Sequence, residues 1–144
     1  MEKKVRLLNV LPHLDFGEYV WKNFGDCYQT SRTIANYLVH HDLCPKTQTS
    51  DGLFRFIAIY AKNREEWVET DLGCMMAAIT VVTLYDTLGK DATEYILDQT
   101  HIKTLVCSAD KIKNIAELKK EGKVPQLSHI VYFDKATPEL LSAA

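Results

Sequence analysis

Phe54-Arg55-Phe56-Ile57-Ala58-Ile59-Tyr60 is an almost unbroken apolar run. All of it except Arg55 and Ala58 is aromatic or β-branched, the residue types that fit a pleated strand. The run lacks the in-and-out alternation of a strand with one wet face. It therefore predicts a strand covered on both faces, as in a parallel sheet. The residues that follow suit that reading. After the turn Ala61-Lys62-Asn63-Arg64, a helix is expected from Arg64 to about Ile79. Asn63 with Glu66 three residues on resembles a capping box. The second half of this helix, Leu72 to Ile79, is apolar on every side and predicts burial between other elements.

The same rhythm extends in both directions. Downstream, Thr80 to Leu84 reads as a short strand, Tyr85 to Gly89 as a loop, and Lys90 to Gln99 as a helix carrying Ala92, Tyr95 and Ile96. Thr104 to Cys107 is a strand, Ser108 caps a helix that ends near Gly122, and His129 to Phe133 is a further strand. Upstream, Tyr19 to Lys22 reads as a short strand. Asn23 caps a helix over Phe24 to His41, with Phe24, Tyr28, Ser31, Ile34, Ala35 and Leu38 at helical spacing. Pro45 to Gly52 is a polar loop rich in turn residues. The sum is an α/β fold in which alternating strand-helix units form a mostly parallel sheet. Residues 1–18 are expected to be a lead-in and residues 19–134 the α/β unit. In residues 135–144, Thr137 and Pro138 begin a helix that is cut at Ala144.

The 144 residues are 47% hydrophobic and 25% charged, ordinary for one domain or one part of a larger one. A formal net charge of -2 gives no basic excess for a nucleic-acid partner. The most apolar stretch, Leu72 to Leu84, is too short for a transmembrane segment. The polar start Met1 to Arg6, and the Asn9, Pro12 and His13 inside the apolar patch that follows, do not form a signal peptide. Cys27, Cys44, Cys74 and Cys107 include no C-x-x-C pair, which favours a reducing, cytosol-facing environment.

Little in the pattern marks chemistry. The turn after the main strand has no glycine to admit a pyrophosphate, and neither a G-x-G-x-x-G nor a G-x-x-x-x-G-K-[ST] run occurs. His40, His41, Asp42 and Cys44 lack the distant His/Cys pair a metal site needs, and histidines at a helix C-terminus suit its dipole. No G-x-S-x-G elbow marks a serine nucleophile. Lys111, Lys113, Lys119, Lys120 and Lys123 interleave with Asp110, Glu117 and Glu121, as on a solvated helix face. No catalytic, cofactor-binding or metal-binding residue is assigned from these patterns.

Two segments carry a resemblance. Ile57-Ala-Ile-Tyr-Ala-Lys-Asn-Arg-Glu-Glu-Trp67 resembles the "GI.A.NRPEW" stretch of long-chain acyl-CoA synthetases. Val81-Val-Thr-Leu-Tyr-Asp-Thr-Leu-Gly89 resembles that family's "AVPLYDTLG", at a similar distance along the chain. Tyr19 to Leu43, Ile102 to Ser108 and Leu127 to Asp134 resemble flanking regions, so the similarity runs from Tyr19 to Asp134. Glu65 and Thr83 stand where the family usually has proline.

The resemblance implies the beginning of the large N-terminal domain of an adenylate-forming enzyme. It implies a complete enzyme that activates a fatty acid with ATP and Mg²⁺ to an acyl-adenylate and passes the acyl group to coenzyme A. The fatty acid and coenzyme A would be substrates of that complete enzyme, and the partner of this segment would be the remainder of the enzyme chain. The family's phosphate loop, adenine and ribose motifs, hinge and catalytic lysine have no counterpart in residues 1–144. The segment by itself is therefore expected to be inactive and to hold no cofactor. The alternative is a truncated, non-catalytic copy serving as a structural subunit of a larger assembly. The location implied is cytosol-facing and peripheral to an organelle membrane. The matched residues Asn63, Arg64, Trp67, Tyr85, Asp86, Thr87 and Gly89 have structural readings: Asn63 as a cap, Trp67 as core, Asp86 and Thr87 fixing their loop through side-chain bonds to backbone, and Arg64 paired with a distant acid.

Overall fold

Strand β2, Gly52–Tyr60, is the axis of a computed structural model that describes residue 18 and residues 20–134. Its second half pairs in parallel on both sides, with β3 (Thr80–Leu84) and with β4 (Thr104–Cys107). The edge strand β5 (His129–Tyr132) pairs in parallel with β4, so the parallel part runs β3-β2-β4-β5. Ile57, Ala58, Ile59 and Tyr60 are all at most 1% exposed, as a strand covered on both faces requires.

The period of two sorts these residues between two cores. Ala58 and Tyr60 point to the face that carries α3 (Lys90–Thr100) and α4 (Ala109–Lys120). There they join Leu97, Leu105, Ile112 and Ile115. Ile57 and Ile59 point to the face that carries α1 (Phe24–His40) and α2 (Glu65–Met76), with Leu38, Cys44, Cys74 and Val106. The result is a three-layer α/β/α arrangement.

Helix α2 packs closely on α1 at Gly73. A Cβ built there would stand 2.6 Å from the Ser31 carbonyl oxygen and 3.3 Å from the Ile34 side chain. Gly73 is thus required by a backbone-to-backbone contact, and the buried Ser31 hydroxyl beside it has no hydrogen-bond partner.

Several sequence expectations are corrected. Residues 46–49, expected in a loop, form strand β1 (Lys46–Thr49), antiparallel to the first half of β2 through the turn Ser50-Asp51, which Gly52 follows at φ 137°. The backbone groups of this polar segment find partners in the hairpin even though its side chains gain little burial. Residues 20–22 are not a strand, and Tyr19 lies outside the described residues. Helix α2 stops at Met76, because Ala78 takes φ 52° and redirects the chain into Ile79 and β3. The second half of α2 is not enclosed: Val68, Leu72, Met75 and Met76 form an exposed stripe, Met75 at 65%. In α1 the buried line begins at Ser31, leaving Phe24 and Tyr28 exposed. In α3 it is Thr93 and Leu97 rather than Tyr95. The expected helix start at Thr137 and Pro138 and the lead-in of residues 1–17 lie outside the described residues.

Candidate functional site

In an open α/β sheet, ligands bind beyond the carboxyl ends of the strands, where successive connections diverge to opposite sides. Here that place lies between β2 and β4. From β2 the chain passes through α2 to β3 on one side, and from β4 it passes through α4 to β5 on the other. A crevice of about 480 Å³ opens there, lined by Lys62, Arg64, Ser108, Ala109, Asp110 and Asp134.

The chain's own charges occupy the walls of that crevice. Arg64 Nη1 donates to Asp134 Oδ1 at 3.0 Å, and its Nε and Nη2 donate to the two Glu66 oxygens at 2.7 and 2.9 Å. The guanidinium also lies 5.2 Å from the centre of the Phe133 ring. Asp134 Oδ2 accepts from the Ala109 amide at 2.7 Å, so this carboxylate caps α4 from the far end of β5. Arg64 does pair with a distant acid. Two caps differ from expectation: Arg64, not Asn63, is the N-cap residue of α2, with Glu66 turned to the guanidinium, and the Ser108 side chain makes no capping bond. Asn63 is exposed in the preceding turn, whereas Asn23 caps α1 as expected, its Oδ1 accepting from the Asp26 amide at 2.8 Å.

The Ala109 amide and the Arg64 guanidinium hold the Asp134 carboxyl below the usual aspartate range. A depressed folded-state pKa means that its stabilisation is full above the ordinary aspartate value and is lost as the pH falls through the depressed one. Asp134→Asn should therefore lose stability at neutral pH and titrate less steeply in acid. Unfolding free energies of the two proteins measured between about pH 7 and pH 2 should converge at the acid end. Parallel curves would contradict this role.

A second cleft, of about 520 Å³, opens at the ends of β2 and β3. Trp67 and Tyr85 line it with Lys62, Asn63 and Asp86. Trp67 is half-buried against the α1/α2 core rather than enclosed, because its helix turn faces this opening. Tyr85 is 69% exposed at the mouth. The loop from Tyr85 to Gly89 is not fixed by its own Asp86 and Thr87 side chains. Among the described residues the Asp86 carboxylate reaches Lys62, at 4.0 Å. The carbonyls of Asp86 and Leu88 are instead held from below, by Lys111 Nζ at 3.1 Å and by Tyr60 Oη at 3.1 Å. Gly89 is the N-cap residue of α3, and its carbonyl accepts from the Thr93 hydroxyl at 3.0 Å. Lys119 also departs from the expected solvated face. Its ammonium donates to the carbonyls of Val124, Pro125 and Leu127 and ties down the connection from α4 to β5.

His40 and His41 are exposed while Cys44 is buried at 1%, so these residues do not converge on one point. Among the described residues no group of three or more His, Cys, Asp or Glu is placed to hold a metal ion. Burial pushes the Cys44 thiol up to about 11 and those of Cys74 and Cys107 up to about 12. A thiolate reagent should thus label Cys27, which is partly exposed, well before the other three, and all four should react in denaturant. Fast labelling of Cys74 in the native protein would contradict the placement of α2.

The family model of AMP-binding enzymes matches residues 3–144. The chain belongs to the AMP-binding enzyme family. Among relatives of this AMP-binding chain, long chain acyl-CoA synthetase 8 of Arabidopsis thaliana is 28% identical over 90% of the chain and 17% of that protein. Human long-chain-fatty-acid–CoA ligase 1 is 32% identical over 85% of the chain and 17% of that protein. The chain therefore spans about one-sixth of the length of the curated relatives it matches, and it resembles their N-terminal part. Solved structures agree on the fold. The adenylation domain of a carboxylate reductase from Mycobacterium chelonae superposes with a TM-score of 0.71 at 14% identity, over 88% of this chain and 19% of that one. A fatty acyl CoA synthetase of Mycobacterium tuberculosis gives 0.68 at 15% identity, over 87% and 24%. The α/β fold with one open sheet is thus that of the N-terminal domain of adenylate-forming enzymes.

The turn that borders the crevice of this AMP-binding family chain offers a polyphosphate no glycine. A polyphosphate needs backbone amides it can approach closely, and the turn after β2 is Ala61-Lys62-Asn63-Arg64, with side chains throughout. The Ala109 amide at the start of α4 is taken by a carboxylate of the chain. Asp110 and Asp134 add negative charge to the crevice lining. Sequence reasoning missed Asp134 as a cap and Lys111 and Tyr60 as loop anchors. The partners lie 25, 25 and 28 residues apart, so no local spacing records them.

Proposed function

We propose that this chain is the N-terminal α/β part of an ATP-dependent long-chain fatty acid–CoA ligase. The complete enzyme would join a fatty acid to coenzyme A through an acyl-adenylate, consuming ATP with Mg²⁺ and releasing pyrophosphate and AMP. The reading rests on the 32% identity to the human long-chain-fatty-acid–CoA ligase across 85% of this chain. In this reading residues 1–144 supply a scaffold. The Arg64–Asp134 pair closes the crevice between β2 and β4 against a nucleotide, and groups outside the segment hold the triphosphate and the reacting carboxylate.

Pyrophosphate release tests it. The complete natural chain that contains this segment, given ATP, Mg²⁺ and a long-chain fatty acid, is expected to release pyrophosphate only when the fatty acid is present. Residues 1–144 alone are expected to release none. A folded complete chain without fatty-acid-dependent release would overturn the ligase reading. If that inactive chain also co-purified stoichiometrically with other subunits, the non-catalytic structural copy would replace it.

A further inference from the structure

The Tyr85–Gly89 loop belongs to one of the two segments that carry the family resemblance, yet it does little to hold itself. Its internal backbone bond is Leu88 N–H to the Tyr85 carbonyl, 3.0 Å. Its ion pair to Lys62 is long and exposed, and such pairs contribute little. What grips it comes from beneath. Lys111, in the first turn of α4, has a side chain only 13% exposed. Its ammonium lies 5.3 Å from the centre of the Tyr60 ring and 3.2 Å from Asp110 Oδ2 while donating to the Asp86 carbonyl. Tyr60 is 1% exposed and spends its hydroxyl on the Leu88 carbonyl. Two donors from α4 and β2 thus hold two loop carbonyls that are two residues apart.

We propose that Lys111, assisted by Tyr60, is the positioning residue for the Tyr85–Gly89 loop and fixes the mouth of the cleft between β2 and β3. A charged donor holds a carbonyl about twice as strongly as a neutral one, so the ammonium is the principal anchor and the phenol the lesser. The Tyr60 ring face supports the charge of the ammonium from within, and the exposed Asp110 carboxylate neutralises it from the outer side. Removing that charge, by substitution or by acylation of the amine, releases the loop and leaves the sheet intact. The inference concerns the loop and does not depend on which reaction the enzyme runs.

Hydrogen exchange on the complete natural chain tests it. Lys111→Met keeps the buried stem and removes the donor. Loss of one hydrogen bond to a charged group should speed exchange of the Leu88 amide, which is bonded to the Tyr85 carbonyl, about tenfold. The β4–β5 ladder, read in the same experiment, should stay within about twofold. Lys111→Arg should restore the slow exchange of that amide, and Tyr60→Phe should give it a smaller acceleration. Unchanged loop exchange in Lys111→Met would overturn the proposal. So would equal acceleration of loop and ladder, or failure of that variant to fold, since either makes the role global.

Discussion

Leu105→Ala should lower the unfolding free energy by about 2–5 kcal/mol, among the largest effects a single truncation can have in this fold. Leu105 is 0% exposed at the middle of β4, in register with Ala58 of β2 on one side and Ile130 of β5 on the other. Its side chain fills the core beneath α3 and α4, among Leu97, Ile112 and Ile115. The backbone around it is fixed by ladders on both edges, so the walls cannot collapse into the void, and the cost should lie toward the upper end of the range. Urea unfolding should show a lower midpoint with an unchanged slope. A loss under about 1 kcal/mol would mean that β4 does not sit at the centre of this sheet.

Gly73→Val should cost up to about 3 kcal/mol, although glycine inside a helix is ordinarily a weakness that a side chain would repair. The repair is worth at most about 1 kcal/mol, and for a β-branched residue less. Against it stands a Cβ that would lie 2.6 Å from the Ser31 carbonyl oxygen. That atom is helix backbone, so no rotamer change relieves the contact, and α1 must move off α2. Gly73→Ala should be destabilising in the same sense and by less. A thermal midpoint that rises in Gly73→Ala would show that the two helices do not touch there.

The sheet was legible because its information is local. Ile57 to Tyr60 form an uninterrupted apolar run, and Thr104 to Cys107 a shorter strand-like one, so a mostly parallel sheet could be read from short windows. Strand β1 was not legible, because Lys46-Thr47-Gln48-Thr49 has no apolar face and gains its strand geometry from pairing with Leu53 to Arg55. The capping box at Asn63 misled for a physical reason: Glu66 had a better partner in Arg64, a charged donor two residues away. The apolar second half of α2 was expected to be enclosed, but its outer stripe is open among the described residues, because an all-apolar stretch does not say which neighbours cover it. The loop anchors and the Asp134 cap join segments remote in sequence, and only the fold brings them together.

The Arg64–Asp134 pair spans 70 residues. A ribosome adding about 5–20 residues per second needs about 4–14 s to cover that distance. During that interval β2 and α2 exist as a nascent chain without the carboxylate that fastens the turn between them, and until residue 107 is added they also lack β4 to pair with one edge of β2. The apolar run from Phe54 to Tyr60 is then an open strand edge next to an apolar helix, the kind of surface that chaperones bind. Slow translation between residues 64 and 134 should therefore lower the yield of folded protein more than slow translation before residue 52.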